Sequence, residues 1–513
     1  MSFVEDIQAS YTFKWKTLLL GKAMYQGKVV PEASISLPLS IMNRHGLIAW
    51  ATGTGKTKTL QKIIESLSEN GIPTIMMDIK GDASGLAMPW MMNEKITARL
   101  TNLSETDWKG EWYPTEFYTL TGTDGVKLRA TISEFWPILF ARLLELNDTQ
   151  ESVMALIFKY CDDHGLLLVD LSDVKKVLQY LANEGKEEIE KDYGMISTAT
   201  VGTIMRKIIE LEGQWASIFF GEPSFDVQDF LRIDDTGRGY VNIIRLMDMM
   251  TRPKLFSTFM LSLLSEIYST FPEIGDAEKP KLVLIIDEAH LIFDTISPAL
   301  LSEIEMIIKL IRSKGVGIFF CTQNPIDIPS SILAQLGLKV QHALRAFTAK
   351  DRDAIEKASE NFPITNYYHV ADDLTTLGIG EAFITTLDER WIPTALVQTM
   401  IAPPHSRMDT LTESELQGFM SVSPLIGKYN TTLDPESANE ILTAKINEKM
   451  IQLEEQNTPS IMDGVGGKIA KNVGWTLAAA LWRQLGQSLG GRTWGTIGAQ
   501  VARGLLGAIF GGR

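Results

Sequence analysis

The chain has 513 residues, 45% hydrophobic and 22% charged, which fits a soluble globular protein with room for about three compact pieces. A net charge of −15 excludes a uniformly basic nucleic-acid surface, and two cysteines, Cys161 and Cys321, far apart in apolar contexts, exclude a disulfide framework. No apolar run of about 18 residues occurs, so no membrane association through a span is expected, and Met1-Ser-Phe-Val-Glu-Asp-Ile7 lacks the blocks of a signal peptide, so the expected compartment is the cytoplasm.

Residues 1–44, with Pro31, Pro38 and the alternating run Ala33-Ser-Ile-Ser-Leu37, predict short extended pieces and no independent domain. The stretch that follows, His45-Gly-Leu-Ile-Ala-Trp-Ala-Thr-Gly-Thr-Gly-Lys-Thr57, is an apolar strand, a Gly-rich turn and the start of a helix, the order of a P-loop. Backbone N–H groups around Gly53 to Lys56, with the positive end of the helix behind them, form an anion site for the β- and γ-phosphates. Lys56 is expected on those phosphates and the Thr57 hydroxyl on Mg²⁺, with Thr52, Gly53, Thr54, Gly55 and Lys58 completing the nucleotide contacts. Trp50 stands where the motif has its first glycine. A positive φ there would strain the loop by roughly 1–2 kcal/mol, whereas a strand-like backbone would let the indole pack beside it.

Thr74-Ile-Met-Met-Asp-Ile79 reads as a buried strand that delivers Asp78, Lys80, Gly81 and Asp82 to the edge where α/β sheets bind ligands. From 128 to 215 apolar residues recur at helical spacing, which predicts a helical insertion whose charged run 183–192 faces solvent. Strands are expected at 239–246, 281–286, 316–323, 340–347, 380–386 and 395–401, and Pro403-Pro404 ends the sheet. Leu282-Val-Leu-Ile-Ile286 carries Asp287 and Glu288 at its carboxyl end. Asp287 suits the Mg²⁺ shell, and Glu288 suits activation of the attacking water. Gln323 ends the next strand, within reach of a γ-phosphate or of a neighbouring loop. Arg312 either caps a helix C-terminus or acts as an arginine finger on a neighbouring subunit's nucleotide, and Arg345 is the second candidate. A helix is expected near 435–453. Residues 464–513 carry six basic groups and no acidic one, leaving −21 on the remainder. Trp494, Ile497, Val501, Leu505 and Ile509 make an apolar stripe that would brace an assembly or lie on anionic lipid.

The motifs Ala51-Thr-Gly-Thr-Gly-Lys-Thr57, Asp78-Ile-Lys-Gly-Asp82, Ile286-Asp-Glu-Ala-His290, Arg312-Ser-Lys-Gly315, Thr322-Gln-Asn-Pro325 and Ala343-Leu-Arg-Ala-Phe347, with the 24-residue step from Glu288 to Arg312, resemble the HerA/FtsK superfamily of P-loop ATPases, in its bacterial HerA-like branch. The resemblance implies an α/β fold with a RecA-like P-loop NTPase sheet, ATP and Mg²⁺ as cofactors, and a homohexameric ring that translocates DNA. It also implies Lys56 and Thr57 on phosphate and Mg²⁺, Asp78 near the site, Glu288 as catalytic acid, and Arg312 as trans-acting finger. The chain then divides into an extended N-terminal segment (1–44), a core in two parts (45–127 and 216–404) split by the helical insertion (128–215), a connector with a helix (405–463) and a basic Gly-rich helical tail (464–513). Three functions stand open: a DNA translocase or helicase, an ATP-dependent ring that remodels or assembles a partner protein, and a nucleotide-binding structural ring in which Trp50 hampers hydrolysis.

Overall fold

A computed structural model describes residues 2–456 except 123, 214–215, 248–251, 276, 294–297 and 347. The expected basic tail and its apolar stripe lie outside the described residues. The strands are β1 (Thr17–Tyr25), β2 (Lys28–Pro38), β3 (Gly46–Ala49), β4 (Thr74–Asp78), β5 (Thr115–Thr119), β6 (Val126–Lys127), β7 (Val241–Arg245), β8 (Leu282–Ile286), β9 (Val316–Thr322), β10 (Leu338–His342), β11 (Glu381–Thr385) and β12 (Val397–Ile401). They form one sheet in the order β2-β1-β12-β11-β10-β3-β9-β8-β4-β7-β5-β6. From β10 to β6 neighbours run parallel, and from β2 to β10 they alternate. The five apolar residues of β8 are all buried, as a central parallel strand covered on both faces requires. This is a mixed α/β P-loop fold.

The first 44 residues are more ordered than the expected short pieces. Ser2 and Glu5 form a capping box that starts helix α1 (Phe3–Ser10). β1 and β2 make a hairpin whose turn residues Gln26 and Gly27 both have positive φ, as a tight right-twisted hairpin needs. β1 then pairs with β12, which extends the main sheet rather than starting a separate one. The Tyr11 hydroxyl closes this edge, 3.0 Å from the carbonyls of both Ile384 and Ala395.

Helix α2 (Lys56–Glu69) follows the P-loop, and α3 (Glu94–Leu103) follows β4. Between β6 and β7 the described residues include α4 (Pro137–Leu143), α5 (Asp148–His164), α6 (Leu171–Ala182), α7 (Lys186–Asp192), α8 (Thr198–Glu212) and the short α9 (Ala216–Phe219). Capping boxes set the starts of α5 (Asn147 with Gln150) and α6 (Asp170 with Asp173). The charged run 183–192 forms α7, in which Ile189 alone is buried, so its charges face outward as expected. A later helix spans Ala438–Gln456. Among the described residues no helix is long and apolar enough to cross a membrane.

His45 fastens β3 to its surroundings. Its Nε2 lies 2.9 Å from the Ile308 carbonyl, and its Nδ1 accepts the Ile318 N–H at 3.0 Å, which selects the neutral Nε2–H tautomer. Burial lowers its pKa to about 4.

Candidate active site

The P-loop is built by backbone bonds to both neighbouring strands. The Trp50 N–H donates to the Thr322 carbonyl at 3.2 Å, and the Ala51 N–H to the Ala343 carbonyl at 2.8 Å. Gly53 (φ +81°) and Gly55 (φ +112°) then take the left-handed turn that opens α2. At Gly55 a Cβ would also come within 3.0 Å of the Gly380 nitrogen, whose N–H donates to the Thr54 carbonyl at 2.8 Å. No side chain caps α2, and with the Lys58 N–H turned back to the Gly55 carbonyl at 3.1 Å, the N–H groups of Lys56 and Thr57 are left to a ligand. Thr52 and Gly53 are exposed, whereas Thr54 is buried, with its hydroxyl on the Ala51 carbonyl at 2.7 Å. Lys58 turns away to donate to the Met408 carbonyl at 2.7 Å. Beside Gly55, Lys58 and Thr59 opens a cavity of about 710 Å³, walled by Trp90, Arg99 and Pro403.

Trp50 is not strained. Positive φ falls on Gly53 and Gly55 in this loop, not on residue 50. The strand-like backbone of β3 continues into its bond to Thr322, and the indole, 2% exposed, joins the main core. The Lys56 ammonium lies 4.7 Å from the ring centre and that of Lys80 5.9 Å, within cation–π range.

At the carboxyl edge of β8 and β4 the predicted carboxylates converge. Asp287 is fully buried and both its oxygens accept from Lys56 Nζ at 2.8 Å. Burial opposes the lysine's charge, but Asp287, helped by Asp82, outweighs it and holds Lys56 above its ordinary pKa. Asp78 folds the loop after β4, its carboxylate accepting from the N–H groups of Gly81 at 2.7 Å and Ala83 at 3.1 Å. Burial, then the like charge of Asp82, pushes its carboxyl up to about 6.

The fourth carboxylate, Asp82, is placed at this edge by the sequence but is given no role by it. It accepts the Thr57 hydroxyl at 2.8 Å through Oδ2, while its Oδ1 is buried without a hydrogen-bond partner. One oxygen from each of Asp78, Asp82 and Asp287 lies within 4.8 Å of the others. An orphaned buried oxygen among hard anionic donors, next to the P-loop hydroxyl, fits Mg²⁺. The signal for Asp82 was two carboxylates four residues apart just past a parallel strand.

Glu288 has φ +49°. That conformation costs a non-glycine residue of order 1–3 kcal/mol and clusters at functional sites. Its carboxylate is nearly buried and is met by Lys80 in an ion pair, by Gln323 Nε2 at 3.4 Å and by His290 Nδ1 at 3.4 Å. The structure therefore brings together Lys56, Thr57, Asp78, Asp287, Glu288 and Gln323. Arg345 lies at the same edge, just past β10, but is exposed and donates to the Thr375 carbonyl at 2.9 Å. Arg312 is not brought to its own chain's P-loop. It precedes β9 at the sheet's amino edge, a strand length of about 20 Å away. There its guanidinium lies 5.3 Å from the Trp391 ring centre, beside Arg44.

The family described as helicase HerA-like C-terminal matches residues 24–513. The chain belongs to this family. It is thereby a P-loop ATPase in class. Curated relatives similar to it are the DNA double-strand break repair helicases HerA of Saccharolobus solfataricus, 22% identical over 69% of this chain, and of Sulfurisphaera tokodaii, 22% identical over 74%. The chain spans 64% of the first relative's length and 68% of the second's. Solved structures similar to this HerA-like chain include the conjugative coupling protein TrwB lacking its N-terminal region (14% identity, TM-score 0.48, 79% of this chain and 94% of that one). VirB4 of Thermoanaerobacter pseudethanolicus is another (15% identity, TM-score 0.47, 75% and 95%).

Proposed function

We propose that the chain is a ring-forming, ATP-hydrolysing motor that acts on DNA. The observation that carries this reading is the meeting of Lys56, Asp287 and Glu288 at one sheet edge, in a member of a helicase-named family. In this reading the open N–H groups of α2 and the Lys56 ammonium hold the β- and γ-phosphates, and the cavity beside Gly55 takes base and ribose. Thr57, Asp82 and Asp287 would hold Mg²⁺, and Asp78 fixes the loop that presents Asp82. When bound, the metal neutralises charge on the phosphates. Glu288 accepts the proton of the attacking water, and Gln323 orients that water beside it. Arg312 serves a neighbouring copy's site, since it stands at the far edge from its own. Arg345 is a secondary contact once released from Thr375. The assembly that pairs those edges is a homohexamer.

Turnover of the full chain with and without double-stranded DNA tests the reading. DNA-stimulated hydrolysis supports it. The charge of −21 outside the tail favours a second reading, a ring that remodels a partner protein, and basal turnover indifferent to DNA would support that instead. Absence of turnover would favour a nucleotide-binding ring without hydrolysis, although the loop strain expected to cause it is not met.

A further inference from the structure

The consecutive carboxylates Asp287 and Glu288 are each held by a lysine, and the two lysines come from different loops. Lys56 of the P-loop takes Asp287, and Lys80 of the loop after β4 takes Glu288. Both ammonium groups lie over the same Trp50 indole. In the ATP-site reading proposed above, Lys56 leaves Asp287 for the phosphates when nucleotide binds. The second pair has the same construction. The Asp78 carboxylate closes the turn that carries Lys80 by accepting the N–H groups of Gly81 and Ala83 beyond it, yet the lysine side chain is 42% exposed while its Glu288 partner is 5% exposed. A fixed root, a long stem and an accessible head suit a group that changes partner. Glu288 is too buried to lose its counter-charge unless other charges enter the site at the same time.

We propose that Lys80 reads the γ-phosphate. With the site empty or filled by ADP, Lys80 stays on Glu288 and occupies the carboxylate that should receive the water's proton. A γ-phosphate draws the ammonium off Glu288, so the base becomes available only when there is a bond to hydrolyse. The Trp50 face stabilises the cation in both positions. Lys80 is thus a positioning residue for Glu288 and a specificity residue for triphosphate over diphosphate. The inference rests on the reading of the site as an ATP site.

The test compares Lys80→Met with the unaltered full chain, titrating ADP and the non-hydrolysable triphosphate AMP-PNP in the presence of Mg²⁺. Lys80→Met should weaken AMP-PNP by about tenfold, the usual scale for one charged contact, and leave ADP within about twofold. It should also lower kcat, and Lys80→Arg should recover most of the AMP-PNP affinity. In the unaltered chain Glu288 competes for Lys80, so Glu288→Gln should tighten AMP-PNP several-fold, and adding Lys80→Met should cancel that gain. Equal weakening of both nucleotides, or of neither, would overturn the proposal and leave Lys80 a plain ion-pair partner. If the unaltered chain binds neither nucleotide, the ATP-site reading fails and this inference fails with it.

Discussion

Replacing Trp50 by glycine restores the letter of the P-loop motif, and on sequence grounds alone would relieve strain and tighten ATP binding. The structure predicts the reverse. The indole is 2% exposed and lies in the main core. A buried tryptophan covers about 150–250 Å², which at about 25 cal/mol per Å² amounts to about 4–6 kcal/mol. Large-to-small substitutions of this kind cost about 3–5 kcal/mol. Loss of the ring face under Lys56 adds about 0.5–2 kcal/mol. Trp50→Gly should therefore lower unfolding free energy by about 4 kcal/mol or more in urea titration and weaken ATP binding at least several-fold. Trp50→Phe should retain much of both. A Trp50→Gly protein as stable as the parent, or one that binds ATP more tightly, would refute the packing argument and restore the strained-loop reading.

Lys56→Ala should abolish nucleotide binding, whereas Glu288→Gln should bind ATP and fail to hydrolyse it; single-turnover assays beside binding titrations separate the two. Asp82→Asn should raise the Mg²⁺ concentration for half-maximal turnover about tenfold, and an unchanged Mg²⁺ requirement would remove Asp82 from the metal shell. Arg312→Ala should spoil turnover with nucleotide affinity kept, and rings mixed with Glu288→Gln subunits should regain some activity if the arginine acts in trans. Burial depresses both His45 and His342 to about 4, below the roughly 6.5 of an unfolded histidine. The stability each contributes is full above about pH 6.5 and is lost as pH falls toward 4, by up to roughly 3 kcal/mol apiece. The urea midpoint should fall across that window, and His342→Asn should flatten the fall.

Where the physics is local, the sequence was legible. The Gly-rich turn after an apolar strand, and the carboxylates after Leu282-Val-Leu-Ile-Ile286, announce themselves because burial and loop geometry act on neighbours in the chain. The helical character of the stretch that holds α4 to α6 was readable for the same reason, through apolar spacing. What stayed hidden depends on partners far away. The β1–β2 hairpin looked like loose extended pieces because β12, which it pairs with, is more than 370 residues downstream. Trp50 was ambiguous because its backbone is fixed by the Thr322 carbonyl. Lys80 and Asp82 were visible as letters of a motif, but only the fold sets one against Glu288 and the other against Thr57.

The buried carboxylate of Glu65, on α2, accepts the backbone N–H groups of His405 and Ser406, the latter at a separation of 341 residues. Gly380 holds the P-loop from the other side through Thr54. On the ribosome, the phosphate loop is therefore made early and completed late. At about 5–20 residues per second, the interval between synthesis of Glu65 and of Ser406 is roughly 20–70 s. During it the loop lacks the contacts that set its shape, and the Glu65 carboxylate lacks the N–H groups that it accepts from in the complete fold. A nascent chain released before residue 406 should be unable to retain ATP, so nucleotide binding becomes a report that nearly the whole sheet has been assembled.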